Sequence, residues 1–194
     1  MHALVVVSHP ASGSVSHEIA RRVGEGVLRS GSGHSVEIAD LMTEGFDPRF
    51  SEEDFEAHRG RAARPVDVVA EQARIDRADA LVLVFPVYWW AMPALLKGWI
   101  DRVFSNGWAY DDSGPKIVKK LGDLPVHLIG IGGADAGTYT RHGYFDSMKT
   151  QIDHGIFDYC GAPVKGFEFL LESDSPDQTK NLDTAQAIGG RIFS

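Results

Sequence analysis

The sequence of 194 residues has a single cysteine, Cys160. One thiol excludes an intramolecular disulfide and any cysteine cluster for zinc or iron–sulfur, so no metal centre is expected. Cys160 lies in the apolar run GIFDYCG, where core filling is the expected role, because a reactive thiolate needs an electropositive and accessible setting. No apolar stretch approaches the ~20 residues needed to cross a bilayer. The opening MHALVVVSHP lacks the basic segment and cleavage site of a signal peptide, so a cytoplasmic protein without membrane insertion is expected. Basic runs are also absent. The chain has 19 basic and 27 acidic side chains, a formal charge of −8, and basic pairs such as Arg21–Arg22 and Lys119–Lys120 stand isolated. Such a surface repels a phosphate backbone, and no nucleic-acid partner is expected. Repeats, low-complexity tracts and linkers are lacking, and the length suits a single domain spanning residues 1–194.

What is present is the composition of a folded globular protein, 43% hydrophobic and 24% charged. Four short apolar runs read as buried strands: Ala3–Val7, Ala80–Phe85, Val126–Ile131 and Phe167–Leu171. A fifth, His34–Asp40, alternates polar with apolar residues and suits a sheet edge. Helical spacing occupies Ser16–Arg29, Val66–Arg77, Pro93–Phe104, Tyr144–Cys160 and Leu182–Phe193. Strand and helix alternate, which predicts a three-layer, doubly wound α/β sandwich around a five-stranded, mostly parallel sheet. Two polar segments, Met42–Pro65 and Asn106–Gly122, exceed the usual connection of about four to six residues and read as binding loops or interface arms.

Ligands of open parallel sheets bind beyond the carboxyl ends of the strands. Three strand-end loops there are rich in chemistry. The first, Ser8 to Ser16, gathers His9, Ser12, Ser14 and Ser16 before a helix. It reads either as a phosphate cradle of N–H groups and hydroxyls or as a simple serine cap. It has neither the GxGxxG of a dinucleotide fold nor the GxxxxGK[ST] of a triphosphatase. The second sets Tyr88, Trp89 and Trp90 between Pro86 and Pro93. Three large rings in succession cannot all enter one core, so at least one is available to a planar heterocycle. The third carries Gly130, Gly132 and Gly133, then Tyr139 and His142. These offer close backbone approach, a proton donor and a titratable imidazole, although a Tyr and a His three residues apart are by themselves usually structural.

On these loops the chain resembles the flavin-dependent NAD(P)H:quinone oxidoreductase family and its bacterial relatives, including ancillary subunits of potassium-efflux systems. The likeness rests on SHPASGS, FDP, the long motif DVVAEQARIDRADALVLVFPVYWWAMPALLKGWIDRVF, GWAY, the GIGG loop with its tyrosine, and FDYCG. It extends from Ala3 to about Leu171. The resemblance implies a flavodoxin-like fold and a two-fold homodimer with a flavin held by both subunits. His9, Ser14, Val15 and Ser16 would then hold the ribityl and phosphate portion. Pro86, Val87, Tyr88, Trp89 and Trp90 would border the ring, with Gly132 and Gly133 presenting backbone to its polar edge. Tyr139 and His142 would be the catalytic pair, stabilising charge on the reduced ring. Ser16 stands where animal members carry asparagine, and the spacing before Tyr139 is one residue longer.

FAD is the expected cofactor, with FMN the alternative, because the FDP arm and GWAY segment lie near the adenine half in FAD-binding members. NAD(P)H would be the donor, and a quinone or related planar molecule the acceptor, the two using one pocket in turn. The alternatives are a flavin, azo- or nitro-reductase, a regulatory flavoprotein with a transporter partner, and a one-electron carrier.

Overall fold

The computed structural model describes residues 1–174 and 177–194. β1 (His2–Val7) leads through α1 (Val15–Ser30) to β2 (Ser35–Asp40), and α2 (Glu52–His58) and α3 (Val66–Asp76) precede β3 (Ala80–Pro86). After α4 (Ala94–Val103) comes a small antiparallel pair, β4 (Tyr110–Asp111) and β5 (Val118–Lys119), and then β6 (Val126–Gly132). α5 (Ala136–His142), α6 (Tyr144–Met148) and a π-helical stretch over Lys149–Asp158 lead to β7 (Val164–Leu171), and α7 (Gln178–Arg191) follows.

The five-stranded sheet runs β2-β1-β3-β6-β7 with every pairing parallel. Because successive side chains on a strand point to opposite faces, the central strands feed two cores. Leu4, Val6, Leu81, Leu83, Phe85 and Leu128 pack with Trp99 and Ile100 of α4 on one face. On the other, Val5, Val82, Val84 and Ile129 meet Ile19 and Val23 of α1 and Ile188 of α7. Helices α1 and α7 cross in backbone contact: a Cβ on Gly26 would strike the Gln186 carbonyl, and one on Gly189 the Val23 carbonyl. Strand order reverses between β1 and β3, which opens the crevice at their carboxyl ends. No helix among the described residues is long and apolar enough to cross a membrane.

The predicted strands and sheet order class are all present, with β2 at an edge as expected. Four features differ. Strand β7 begins three residues before Phe167 and is the other edge, so Glu168 on it is exposed. The Met42–Pro65 segment holds α2, started by a capping box in which the Ser51 side chain accepts from the Asp54 N–H and Asp54 accepts in return. The Asn106–Gly122 segment holds the β4–β5 pair. The helix expected over Tyr144–Cys160 is mostly π: Ile152 and Phe157, five residues apart, are both fully buried. Bonding from residue i to i+5 brings that spacing onto one face, as an α-helix would not.

The long segment before α3 is tied down through α4. Arg102 Nε donates to Asp54 at 3.0 Å, and its Nη1 donates to Asp67 Oδ2 at 2.6 Å and to the Asp47 carbonyl at 2.8 Å. Both Arg102 and Asp54 are buried, so each charge depends on the other for compensation. Trp99 is fully enclosed, with its indole N–H donated to Glu71 at 2.8 Å. Cys160 is buried as expected, and burial pushes its thiol up to about 11.

His127 on β6 is different, because its buried Nε2 finds no hydrogen-bond partner among the described residues. Burial, and then the charge of Lys165, pushes its imidazole below the usual 6.5. The unfolded chain therefore takes up a proton at acidic pH that the folded chain resists. Stability should hold above about pH 6.5 and fall as pH drops below it towards the folded value. Urea midpoints measured at pH 7.5 and 5.5 should separate for the parent more than for His127→Leu; an equal separation would remove His127 as the cause.

Candidate active site

The first loop leaves β1 beside β3, with the Ser8 N–H on the Val84 carbonyl at 3.3 Å. His9 is half-buried, and its Nδ1 accepts the Ala11 N–H at 3.0 Å, which folds the loop back on itself. Gly13, at φ 79°, makes the turn into α1. Ser14 is the N-cap residue, yet its side chain makes no capping hydrogen bond. Its hydroxyl instead meets His17 Nδ1 at 2.8 Å, and His17 Nε2 meets Asp40 Oδ2 at 3.0 Å. Burial pushes the Asp40 carboxyl up, but hydrogen bonds from Thr43 and His17 outweigh it and hold the group below its ordinary range. The simple cap reading of Ser14 is thus set aside in favour of a Ser14–His17–Asp40 chain. Ser16 is buried in the first turn of α1 and Val15 half-buried. The His17 N–H bonds the Ser14 carbonyl at 3.0 Å, which leaves the N–H groups of Val15 and Ser16 without intrahelical acceptors at the positive end of the helix.

The second loop is a tight reversal. Tyr88 and Ala91 exchange N–H···O bonds, both at 3.1 Å, and between them Trp89 and Trp90 take φ values of 50° and 59°. A two-residue hairpin of the I′ kind requires such angles, which usually fall to glycine or asparagine. Large side chains there cost about 1–3 kcal/mol each. The outcome is that Trp89 projects with 93% of its surface exposed. Trp90 is held, stacked on Tyr144 at 3.7 Å and 12° and edge-on to Tyr139 at 5.2 Å.

In the third loop, Gly132 and Gly133 do different things. Gly132 is buried and its carbonyl accepts the Glu172 N–H at 2.9 Å. A Cβ there would overlap the Tyr139 hydroxyl and press on Leu171. Gly133 has nothing within 4 Å of its Cβ position and opens to solvent. Asp135 caps α5 by accepting the Thr138 N–H at 2.8 Å. This sets Tyr139 inward, 1% exposed and stacked on Phe145 at 4.8 Å. Burial pushes its phenol above the usual value of 10.

Val87, Trp89, Trp90, Gly133, Ala134 and Tyr139 line one cavity of about 140 Å³. The structure therefore brings together five of the expected residues. Pro86 and Gly132 are buried behind it, and Tyr88 lies outside its wall. The expected pairing of Tyr139 with His142 is not formed: three residues on along α5, His142 is exposed and stacks on Tyr144 at 5.3 Å, away from the cavity wall. Sequence reasoning missed Tyr144, His17 and Asp40. A serine three residues before a histidine on a helix face was available as a signal for the first link; the second joins residues 23 apart in sequence.

A family described as having a flavodoxin-like fold matches residues 1–189. A Haemophilus influenzae protein named uncharacterized NAD(P)H oxidoreductase is 31% identical over 175 residues, covering 90% of this chain and 84% of that one. Ribosyldihydronicotinamide dehydrogenase (quinone) of Rattus norvegicus is 29% identical over 199 residues, covering 91% and 85%. The solved NAD(P)H:quinone oxidoreductase of Methanothermobacter marburgensis superposes with a TM-score of 0.87 at 27% identity, covering 99% of this chain and 98% of that one.

The unequal glycines can be tested directly. Gly132→Ala must displace the Tyr139 ring and should cost roughly 1–3 kcal/mol, whereas Gly133→Ala should stay within about 0.5 kcal/mol of the parent. Denaturant unfolding of both variants measures this, and equal costs would refute the packing described.

Proposed function

The chain belongs to the flavodoxin-like fold family matched over residues 1–189, and from that premise we propose that it is an oxidoreductase passing hydride from NAD(P)H to a quinone or related planar acceptor with the help of a bound flavin. The observation that carries this reading is the convergence of the Trp89–Trp90 reversal, Gly133 and Tyr139 around one cavity at the carboxyl edge of the sheet, beside the free helix end of the first loop. A bound flavin supplies the centre that accepts hydride from the donor and yields it to the acceptor.

The residues fit such a group. Gly133 admits close backbone approach, and Val87 and Trp90 form an apolar wall for a flat ring. Ser14 and the outward N–H groups of α1 suit a phosphate, with His9, Val15 and Ser16 shaping the same turn. His17, fixed by Asp40, orients the Ser14 hydroxyl. Tyr139 stays protonated at neutral pH, since burial raises its phenol, and it can donate a hydrogen bond to negative charge developing at the ring edge. His142, on the outer side of Tyr144, would assist that charge less directly.

The cavity of about 140 Å³ is below the several hundred Å³ of a complete small-molecule site. Trp89 on its wall and the neighbouring Tyr88 stand exposed. A second copy of the chain packed by two-fold symmetry would close it and cover those rings. Donor and acceptor then occupy the closed pocket in turn. FAD is the expected flavin, and the cytoplasm the expected place of action.

Heating the purified protein and chromatographing the released chromophore tests cofactor and type together. His17→Ala should weaken flavin retention several-fold, read as the dissociation constant. Colourless protein that takes up neither FAD nor FMN would overturn the proposal. Tyr139→Phe keeps the ring packing and removes the donor, so stopped-flow reduction by NADPH should slow roughly tenfold or more while flavin content stays near the parent's. His142→Asn should have the smaller effect; unaltered rates in Tyr139→Phe would remove its assigned role.

A further inference from the structure

Strands β6 and β7 fall out of step at their first residues. They pair regularly from His127 with Gly166 to Gly132 with Leu171, but Val126 lies opposite Val164, which leaves Lys165 as an extra residue on β7. Such a bulge re-aims the side chain that it carries. Strand alternation alone would send Lys165 to the face of Phe167 and Phe169, which pack against the α4 core. Instead it joins the wall of a cavity on the opposite face, where its charge reaches His127.

That cavity, of about 410 Å³, lies between the amino ends of β6 and β7 and the carboxyl end of α7. Its volume suits a small molecule. Pro125, Ile188 and Ile192 make part of the wall apolar. Lys165 and Arg191 add two cations, and neither makes an ion pair among the described residues. Neither ring nitrogen of His127 has a hydrogen-bond partner among the described residues. Its Nδ1 stands 3.9 Å from where a Cβ on Gly166 would lie, so it borders the space which that glycine leaves. The Arg191 carbonyl, at the negative end of α7, is engaged by the Ser194 hydroxyl at 3.0 Å. Glu168, level with Ile129 on the same face, adds one carboxylate, also without an ion pair among the described residues.

We propose that this cavity binds a small monocarboxylate with a compact apolar body. Lys165 and Arg191 bridge the carboxylate, the neutral His127 ring donates a hydrogen bond to it, and the apolar body rests on Ile188 and Ile192. Charge-assisted bonds of this kind are about twice as strong as neutral ones. Glu168 on the same wall repels a second negative charge, so a dicarboxylate is disfavoured. β6 runs 7 residues from here towards the Trp90–Tyr139 cavity, roughly 20 Å at the rise of a parallel strand, and the two spaces share no residue. The occupant is therefore neither donor nor acceptor, and the site stands independently of the oxidoreductase reading.

Isothermal titration calorimetry of the purified protein with cyclohexanecarboxylate, whose puckered ring does not mimic a planar acceptor, should find one site per chain. Lys165 and Arg191 are exposed, so K165A/R191A should fold, which circular dichroism checks, and should bind at least tenfold more weakly. Gly166→Val keeps every charge and fills the space instead. It should lose the ligand to a similar degree, and it carries the test if the double variant misfolds. E168Q should hold the monoanion as before and raise affinity for the dicarboxylate analogue several-fold. Absence of binding up to the millimolar range, parent-like affinity in either folded variant, or equal affinity for the neutral cyclohexanecarboxamide would overturn the proposal. An E168Q variant no better with the dianion would overturn the selection assigned to Glu168.

Discussion

Everything in this molecule depends on parallel pairing. Five strands that run the same way need four crossovers between them, and every crossover starts from the same edge of the sheet. The registers of β1 with β3 and of β3 with β6 bring Val7, Val84 and Ile129 level. The three chemically rich loops therefore leave from neighbouring points. No long-range contact between those loops is needed to gather them, because the hydrogen-bond ladder has already done so. Two apolar layers, one on each face, hold that ladder flat enough and dry enough to serve as a platform.

On this platform the Tyr88–Ala91 reversal stores strain that the surrounding packing supports. Trp90 is clamped between Tyr144 and the edge of Tyr139, and Tyr139 is held in turn by Phe145, its hydroxyl in the space that Gly132 leaves. The unfavourable backbone angles persist because these contacts over-determine them. The first loop follows the same pattern with polar groups: Asp40 fixes His17, and His17 fixes Ser14.

Much of this was legible beforehand. Runs such as ALVLVF at 80–85 leave little choice but a buried strand, and their alternation with helical spacing dictates the architecture. The strand-end loops were identifiable because the sheet rule says where to look. Other parts could be read but were passed over, such as the Ser51–Asp54 capping box inside an apparently structureless segment. Some could not be read at all. Two consecutive tryptophans at positive φ contradict local preference, and only the tertiary clamp makes them possible. The π-helical stretch depends on the core taking both Ile152 and Phe157. The inward turn of Tyr139 and the outward turn of His142 follow from where α5 is capped, which the spacing of the two residues does not disclose.

The crossing of α1 and α7 bears on how the protein is made. With Gly26 and Gly189 allowing backbone to touch backbone, the second helix of contact for β1 and β3 comes from the last twenty or so residues of the chain. A nascent chain emerging at several residues per second can build its early strands and α1, but one face of the growing sheet stays greasy until α7 has followed. The interval between the emergence of α1 and that of α7 is when a chaperone has most to cover.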